Sequence, residues 1–226
     1  MPGAVPHTFG GIEFHLYADG TAFAPALRTL FIADVHLGKS GHFRTFGIPT
    51  PKGIHDHAMA SLHKAIGRHS QAKVVFLGDL FHNLQNKETA DLRSLIAAYP
   101  DSDFHLIVGN HDIDLPDWQE LQIHSSMEFN GLVCLHEPPG SNFNANISFD
   151  ASLIADRYPD NYLLCGHIHP GVMLRGKGRG RLRMKAFYFG EQIGILPAFG
   201  PFTGAHALQE QGQYFGIAEG QVLSLF

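Results

Sequence analysis

The sequence has few cysteines, no long hydrophobic run and no leader-like start. Its two cysteines, Cys134 and Cys165, both lie in apolar runs, which excludes a disulfide framework and predicts small buried thiols. No apolar stretch approaches the roughly 18 residues of a membrane-spanning helix. The first residues lack the basic start and apolar middle of a secretory signal. We therefore expect a soluble protein of the reducing cytoplasm without a membrane partner.

Positive charge is also scarce. The 226 residues include 16 Lys and Arg against 21 Asp and Glu, which gives a formal net charge of −5. This balance excludes a protein that coats nucleic acid through bulk charge alone, so any polyanion must be met by a local group of basic residues. The length and the hydrophobic content of 44% predict a single α/β domain over residues 1–226.

Histidine, by contrast, is abundant, with 16 residues. Imidazole is the commonest metal ligand in proteins, and its charge changes near neutral pH. Many of these histidines show no metal-binding spacing, and we expect them to be solvated or simply hydrogen-bonded. They are His7, His15, His42, His55, His57, His63, His69, His105, His124 and His206.

Short apolar runs alternate with helical patterns over most of the chain, which is typical of stacked βα units. The predicted strands of this part are Thr29–Ala33, Lys73–Leu77, Phe104–Val108, Leu132–Leu135 and Tyr162–Cys165. The predicted helices lie around Ile54–Ile66 after a Thr50-Pro51 cap, at Lys87–Ala98 after Asn86, and at Ala151–Arg157. After Pro170, a second and antiparallel section is indicated by Arg181–Phe189, Gln192–Leu196, Tyr214–Ala218 and Val222–Phe226.

Each of the first five predicted strands is followed by residues that can bind metals. The blocks are Asp34-Val35-His36, Gly78-Asp79, Gly109-Asn110-His111-Asp112, His136 and Gly166-His167-Ile168-His169. One such block alone would indicate only a turn or a helix cap. Five in order indicate one site, because the carboxyl ends of strands in such sheets meet in a common crevice.

The donor side chains in these blocks are too many for one metal ion and fit two ions that share a carboxylate. They are Asp34, His36, Asp79, Asn110, His136, His167 and His169. Asp79 is the natural bridge. Oxygen and imidazole without thiolate favour Mn²⁺, Fe or Zn²⁺ over Ca²⁺ and Mg²⁺. Two such ions, roughly 3.5–4 Å apart, form the arrangement in which a metal-bound hydroxide attacks phosphorus in line. The pattern therefore predicts phosphoester hydrolysis.

This ordered series resembles the signature of the calcineurin-like metallophosphoesterases, block for block from Asp34 to His169. The resemblance implies an α/β fold of two packed mixed β-sheets flanked by helices. It also implies that His111 stabilises the transition state or protonates the leaving oxygen, and that Asp112 orients His111. It implies one metal on Asp34, His36, Asp79 and His169, and the other on Asp79, Asn110, His136 and His167.

A narrower resemblance is to the small bacterial ligase-associated phosphoesterases, described as DNA damage response phosphodiesterases or endonucleases. It rests on Ala33–Lys39, Phe43-Arg44, Gly47–Pro49, Gly78–His82, Leu196–Gly200 and Phe202–Gly204. This resemblance implies a Mn²⁺-dependent phosphodiesterase that acts on DNA in repair, together with a helicase and an ATP-dependent DNA ligase.

A basic stretch independently favours a nucleic-acid substrate. Six of the 16 Lys and Arg residues fall between Arg175 and Lys185. Strand alternation places four of them on one side, where they can follow a phosphate backbone: Arg179, Arg181, Arg183 and Lys185. The alternative is a solvated edge strand that its charge protects from aggregation. Lys39 and Arg44 are likewise either phosphate contacts or exposed loop charges.

Other functions can use the same cluster, because such metals recognise phosphorus rather than the leaving group. A protein phosphatase, a nucleotide phosphohydrolase and a lipid-linked pyrophosphatase stay open, although the last would need a membrane-binding amphipathic segment that is not visible. A non-catalytic scaffold with this fold is the alternative from another class. Scaffolds tend to lose ligands or the catalytic histidine, whereas this chain keeps all of them, which disfavours a scaffold.

Overall fold

The computed structural model describes residues 3–39, 53–82, 86–142, 148–175, 181–201, 203–208 and 210–225. The α-helices within these ranges are α1 (Ile54–Gly67), α2 (Asn86–Ala97) and α3 (Ala151–Arg157). The strands up to residue 124 are β1 (Ala4–Phe9), β2 (Ile12–Tyr17), β3 (Ala22–Ala24), β4 (Thr29–Ile32), β5 (Lys73–Leu77), β6 (Phe104–Ile107) and β7 (Leu121–His124). The later strands are β8 (Met127–Phe129), β9 (Leu132–Cys134), β10 (Tyr162–Cys165), β11 (Pro170–Arg175), β12 (Arg181–Phe189), β13 (Ile193–Ile195), β14 (His206–Ala207), β15 (Gln213–Ala218) and β16 (Gln221–Ser224).

The first sheet contains β1 to β7 in sequence order. β1 to β4 pair antiparallel, and β4 to β7 pair parallel. β1 and β2 are joined by Gly10 and Gly11, whose φ angles of 57° and 74° suit a two-residue hairpin turn. Parallel strands need crossover connections, and α1 and α2 lie in the crossovers from β4 to β5 and from β5 to β6.

The second sheet is mixed and has the order β14-β11-β12-β13-β10-β9-β8, with β15 pairing with β12 and β16. β10 lies between β9 and β13 and is parallel to both. The predicted antiparallel section after Pro170 is therefore wrong in two respects. β9 and β10 precede Pro170 but belong to this sheet, and β13 is parallel to β10. Sheet membership depends on contacts between distant strands, which an apolar run does not encode.

The two sheets pack face to face over a layer rich in phenylalanine. Phe14 and Phe31 of the first sheet share this layer with Phe187, Phe189 and Phe215 of the second. The helices cover the outer faces: α1 and α2 pack on the first sheet through Leu62, Ile66, Leu92 and Leu95, and α3 packs on the second through Ile154. The predicted sandwich of two mixed sheets flanked by helices is confirmed.

The strands that carry the ligand blocks begin and end within one residue of the predicted runs, and so do α2 and α3. Cys134 and Cys165 are buried free thiols, as predicted. The Thr50-Pro51 cap and the side chain of Asn86 lie outside the described residues. Among the helices that the structure describes, none has the length and apolar character to cross a membrane.

Candidate metal centre

The predicted ligand blocks converge between the two sheets. β4, β5 and β6 end on one side of this crevice, and β9 and β10 end on the other. Several hydrogen bonds join the sides. The backbone N–H of His167 donates to Oδ2 of Asp34 at 2.9 Å, and Nδ1 of His136 donates to the carbonyl oxygen of Leu77 at 2.8 Å. The crevice expected along one sheet is thus formed by two sheets packed together.

Two groups of potential ligands lie in this crevice. Asp34, His36 and His169 form one group, and Asp79, His136 and His167 form the other. Within each group, the donor atoms all lie within 4.8 Å of one another. These sets match the two metal positions that the family resemblance implies, with one carboxylate and two imidazoles at each.

The Asp79 carboxylate lies between the groups. Its Oδ2 is 3.8 Å from Nε2 of His36, and its Oδ1 is 3.4 Å from Nε2 of His136. One oxygen therefore faces each group, which is the geometry that a bridging ligand requires. The amide oxygen of Asn110 lies 3.2 Å from Nε2 of His136, so it joins the second group.

The imidazole contacts fit metal binding better than mutual hydrogen bonding. The carbonyl oxygen of Leu77 can only accept, so Nδ1 of His136 carries the proton and Nε2 presents a lone pair. This Nε2 lies 3.1 Å from Nδ1 of His167. In the other group, Nε2 of His36 lies 3.4 Å from Nε2 of His169. Fixing one ring nitrogen through a carbonyl while the other faces the site is typical of metal-ligating histidines.

The backbone of the ligand loops is strained. Five of the seven proposed ligands have a positive φ: Asp34 (53°), His36 (52°), Asp79 (48°), His167 (68°) and His169 (52°). Such angles are uncommon outside glycine and cost about 1–3 kcal/mol each, so the surroundings must hold them. The packing around these loops is tight at Gly78, because an added Cβ there would lie 2.2 Å from Nδ1 of His136.

Burial sets the protonation states that metal ligands need. It lowers the pKa of His36 to about 2, against the effect of Asp34, and it also lowers the pKa of His167. Both rings are therefore neutral at pH 7. Burial acts to raise the pKa of Asp34, but the hydrogen bond and charge of His169, with His136 and His36, leave that pKa below its ordinary value. Neutral imidazoles and ionised carboxylates are the forms that bind metals, so the donor set fits divalent ions.

Residues 27–170 match the family model of the calcineurin-like phosphoesterases, and this range contains all seven proposed ligands. The chain belongs to the calcineurin-like phosphoesterase family. This confirms the resemblance seen in the ligand blocks. The protein is accordingly a phosphoester hydrolase of a family that uses divalent metals.

A solved nuclease structure shows the same fold as this phosphoesterase. It resembles the nuclease MPE of Pseudomonas putida with 24% identity and a TM-score of 0.75, over 98% of this chain and 100% of that one. A protein of unknown function from Aquifex aeolicus (20% identity, TM-score 0.44, 67% and 82% of the chains) is too distant to carry an argument. So is a predicted phosphoesterase from Streptococcus pneumoniae (12% identity, TM-score 0.39, 87% and 95% of the chains). No curated protein sequence matches the chain.

The ring of His111 lies outside both ligand groups and next to them. Its centroid is 5.5 Å from that of His36 and 4.7 Å from that of His82. The residue is exposed, and its backbone N–H donates to Oδ1 of Asp79 at 2.9 Å. The phosphoesterase therefore presents two imidazoles, His111 and His82, beside the metal ligands. Sequence reasoning assigned no role to His82, although it lies three residues after Asp79.

Asp112 contacts backbone donors rather than the ring of His111. Its Oδ1 accepts from the N–H of Phe81 at 3.0 Å, and its Oδ2 accepts from the N–H of Gly109 at 2.9 Å. Burial raises the pKa of Asp112 to about 6, and the two N–H donors oppose that shift. The carboxylate ties the loop after β5 to the loop after β6. Asp112 would therefore orient His111 indirectly, through the loop that carries His111.

Besides Lys185, three of the predicted substrate contacts lie within the described residues. Lys39 is half-buried, and burial lowers its pKa while Asp34 and Asp79 raise it. Arg181 and Arg183 are exposed residues of β12. We call Lys39, Arg181 and Arg183 the basic strip. Arg44 and Arg179, also predicted, lie outside the described residues.

Lys185 does not share the exposure of the arginines before it on β12. Its Nζ donates to the carbonyl oxygens of Ala198 and Gly200, both at 2.6 Å. Burial lowers its pKa to about 8, against the effect of Asp34. The ammonium group points to a loop instead of solvent, so Lys185 does not extend the basic strip.

Two further residues near the centre had not been singled out from the sequence. Oε1 of Glu137 lies 3.8 Å from Nε2 of His167, on the side away from His136. The N–H of His206 donates to the carbonyl oxygen of His169 at 2.9 Å, and their ring centroids are 6.2 Å apart. Glu137 directly follows a ligand, which was an available signal. His206 is brought near by the pairing of β14 with β11, which spacing does not reveal.

Proposed function

We propose that this phosphoesterase is a dinuclear, Mn²⁺-dependent phosphodiesterase that cleaves DNA. The observation that carries the proposal is the Asp79 carboxylate, whose oxygens face two separate groups of ligands. Lys39 and Arg183 of the basic strip, which lie close to these groups, support a polyanionic substrate. The mixture of carboxylate, amide and imidazole donors supports Mn²⁺, with Fe and Zn²⁺ as alternatives.

Seven side chains would hold the two ions. One ion would take Asp34, His36, Asp79 and His169, and the other Asp79, Asn110, His136 and His167. When bound, the ions would supply Lewis-acid activation of a water and neutralise charge on the phosphate. Asp34 and Asp79 are the only anionic ligands, so a loaded centre keeps about two positive charges. That charge favours binding of a phosphodiester anion.

His111 is the proposed donor of a proton to the leaving oxygen. Its ring is exposed, adjoins the ligand groups and lies 4.7 Å from the ring of His82. A general acid of this kind contributes roughly 10²–10⁴-fold to the rate.

DNA is the proposed substrate because two basic residues, Lys39 and Arg183, lie close to the centre. Burial lowers the pKa of Lys39, and the nearby charges of Asp34 and Asp79 oppose that fall. Arg183 acts on the pKa of His206, which adjoins the ligand His169. The similar protein from Pseudomonas putida is named a nuclease, which agrees with this assignment. The ligase-associated resemblance extends the proposal to repair with a helicase and a DNA ligase, which co-purification would test.

The decisive experiment is a substrate screen of the metal-depleted protein with added Mn²⁺, Mg²⁺, Zn²⁺ or Fe²⁺. The substrates are bis(p-nitrophenyl) phosphate, p-nitrophenyl phosphate, nucleotides, and single-stranded and duplex DNA. We expect the diester and DNA to be hydrolysed, with Mn²⁺ above Mg²⁺. Hydrolysis of monoesters or nucleotides without DNA cleavage would favour a small-substrate phosphatase instead. No hydrolysis with two bound ions would favour a scaffold.

A further inference from the structure

The segment Leu196–Gly200 follows β13 and runs beside Asp34 without supplying a ligand. Its N–H groups donate to both sheets: Leu196 to the carbonyl oxygen of Cys165 at 2.9 Å, Phe199 to that of Ala33 at 2.8 Å, and Gly200 to that of Asp34 at 3.1 Å. β10 ends at Cys165 and β4 ends just before Ala33. The blocks that follow these two strands supply Asp34, His36 and His169 of one metal position. The segment therefore connects the two sides of that position.

The segment lies against Asp34 at very short range. A Cβ at Gly200 would be 2.6 Å from the carbonyl oxygen of Val35 and 3.3 Å from that of Asp34. Glycine is what allows the two backbones to approach. On the other side, the N–H of Asp34 donates to the carbonyl oxygen of Gly78 at 3.2 Å. The Asp34 backbone is thus held from two sides while its φ is 53°, an angle that persists only where the surroundings fix it.

Lys185 fixes this segment from the second sheet. Its Nζ donates to the carbonyl oxygens of Ala198 and Gly200, and Oγ1 of Thr203 donates to the same Gly200 oxygen at 2.7 Å. Removing an ammonium group from water costs free energy. Charge-assisted hydrogen bonds to the two carbonyl oxygens, together with the negative charge of nearby Asp34, offset that cost. Lys185 occupies a position on β12 where an apolar side chain would leave these carbonyl oxygens without their donor.

We propose that Lys185 is a positioning residue for the metal centre. Through the Leu196–Gly200 segment, it holds Asp34 in the left-handed conformation that directs its carboxylate to His36 and His169. This role replaces the DNA contact predicted from strand alternation. It rests on the two-ion part of the proposed function and is independent of the substrate.

The test is Mn²⁺ binding by equilibrium dialysis of the metal-depleted full chain. Lys185→Met keeps the length of the side chain and removes its donors. We expect the affinity for one of the two ions to fall roughly 10–100-fold, the usual loss when a partner of a metal ligand is removed. The other ion should bind with wild-type affinity. Thr203→Val removes the second donor to Gly200, so it should weaken the same ion less, and it decides the test if Lys185→Met does not fold.

Lys64→Met is the matched control, because Lys64 is an exposed lysine of α1 that belongs to neither the proposed metal centre nor the basic strip. It should bind both ions like the wild type. The proposal would be overturned if Lys185→Met bound both ions with wild-type affinity. If this variant lost only DNA affinity, Lys185 would be a substrate contact instead. Equal weakening of both ions with a fall in the stability of the metal-free protein would also overturn it. A wild-type chain that binds fewer than two ions would instead refute the proposed function itself.

Discussion

Six of the seven proposed ligands are buried or half-buried and only Asn110 is exposed, whereas Arg181 and Arg183 of the basic strip are both exposed side chains of β12. Asp34 shows the first kind of construction, since backbone donors from His167 and Gly200 both bind it. Metal geometry tolerates little displacement, so its ligands must be fixed by the fold. A phosphate backbone offers many equivalent charges, so exposed arginine side chains without a fixed position can bind it. The centre should therefore respond to substitutions far more strongly than the strip.

The largest expected effect comes from Asp79→Ala. It removes the carboxylate that faces both ligand groups, so both ions should be lost and hydrolysis of bis(p-nitrophenyl) phosphate should fall to the background rate. Asn110→Ala removes one neutral ligand from one group, so its metal content and hydrolysis rate should fall less than those of Asp79→Ala. Metal content by mass spectrometry and the hydrolysis rate check both variants. If the Asp79→Ala protein kept two ions, Asp79 would not be the bridging ligand.

His111→Ala should have the next largest effect, and it should separate chemistry from metal binding. The variant should keep two ions and lose roughly 10²–10⁴ in kcat, the usual size for a lost general acid. His82→Ala should also keep both ions, because His82 belongs to neither ligand group. Metal stoichiometry and kcat measured together test this. Loss of an ion from His111→Ala would make that residue a ligand.

Asp112→Asn tests how far the loops around the centre are fixed. The amide can accept from only one of the two N–H groups that now bind the carboxylate, so Phe81 or Gly109 keeps an unpaired buried donor. The free energy of unfolding should fall by about 1–3 kcal/mol. Urea denaturation of the metal-free protein measures it. Asp160→Asn, at an exposed position, is the control and should change stability by no more than about 0.5 kcal/mol.

The smallest effect on the metal centre should come from the double variant Arg181→Ala and Arg183→Ala. DNA binding should weaken, and its log–log salt dependence should flatten by about 0.7 for each phosphate of a single strand that the variant no longer binds. Hydrolysis of bis(p-nitrophenyl) phosphate should change less than DNA cleavage. Both substrates measured across a salt series provide the test. Equal losses on both would indicate a damaged centre, and no loss on DNA would support a solvated edge strand.

The sequence predicted the strands that precede the ligand blocks, because each of these strands is a short apolar run closely followed by polar donor residues. Asp79 could be proposed as a ligand because only Gly78 separates it from the buried run Lys73–Leu77, and only Ala33 separates Asp34 from β4. The N-terminal strands β1 and β2 were missed although Gly10-Gly11 between alternating residues is a hairpin signal. That miss was avoidable, because the signal is local.

Other features depended on contacts that no local pattern contains. Strand alternation grouped Lys185 with Arg181 and Arg183, but the loop from Ala198 to Gly200 covers Lys185 and accepts from its ammonium. His206 had no metal spacing, yet it adjoins His169. Both depend on how strands of the second sheet are ordered, which follows from packing between residues far apart in the chain.

The dinuclear centre is tested most directly by titrating the metal-depleted wild-type chain with Mn²⁺ and measuring bound metal and diester hydrolysis on the same samples. We expect two ions per chain, with activity that appears as the second ion binds, because Asp79 and its two ligand groups act as one centre. Full activity with a single bound ion, or without any, would contradict this expectation.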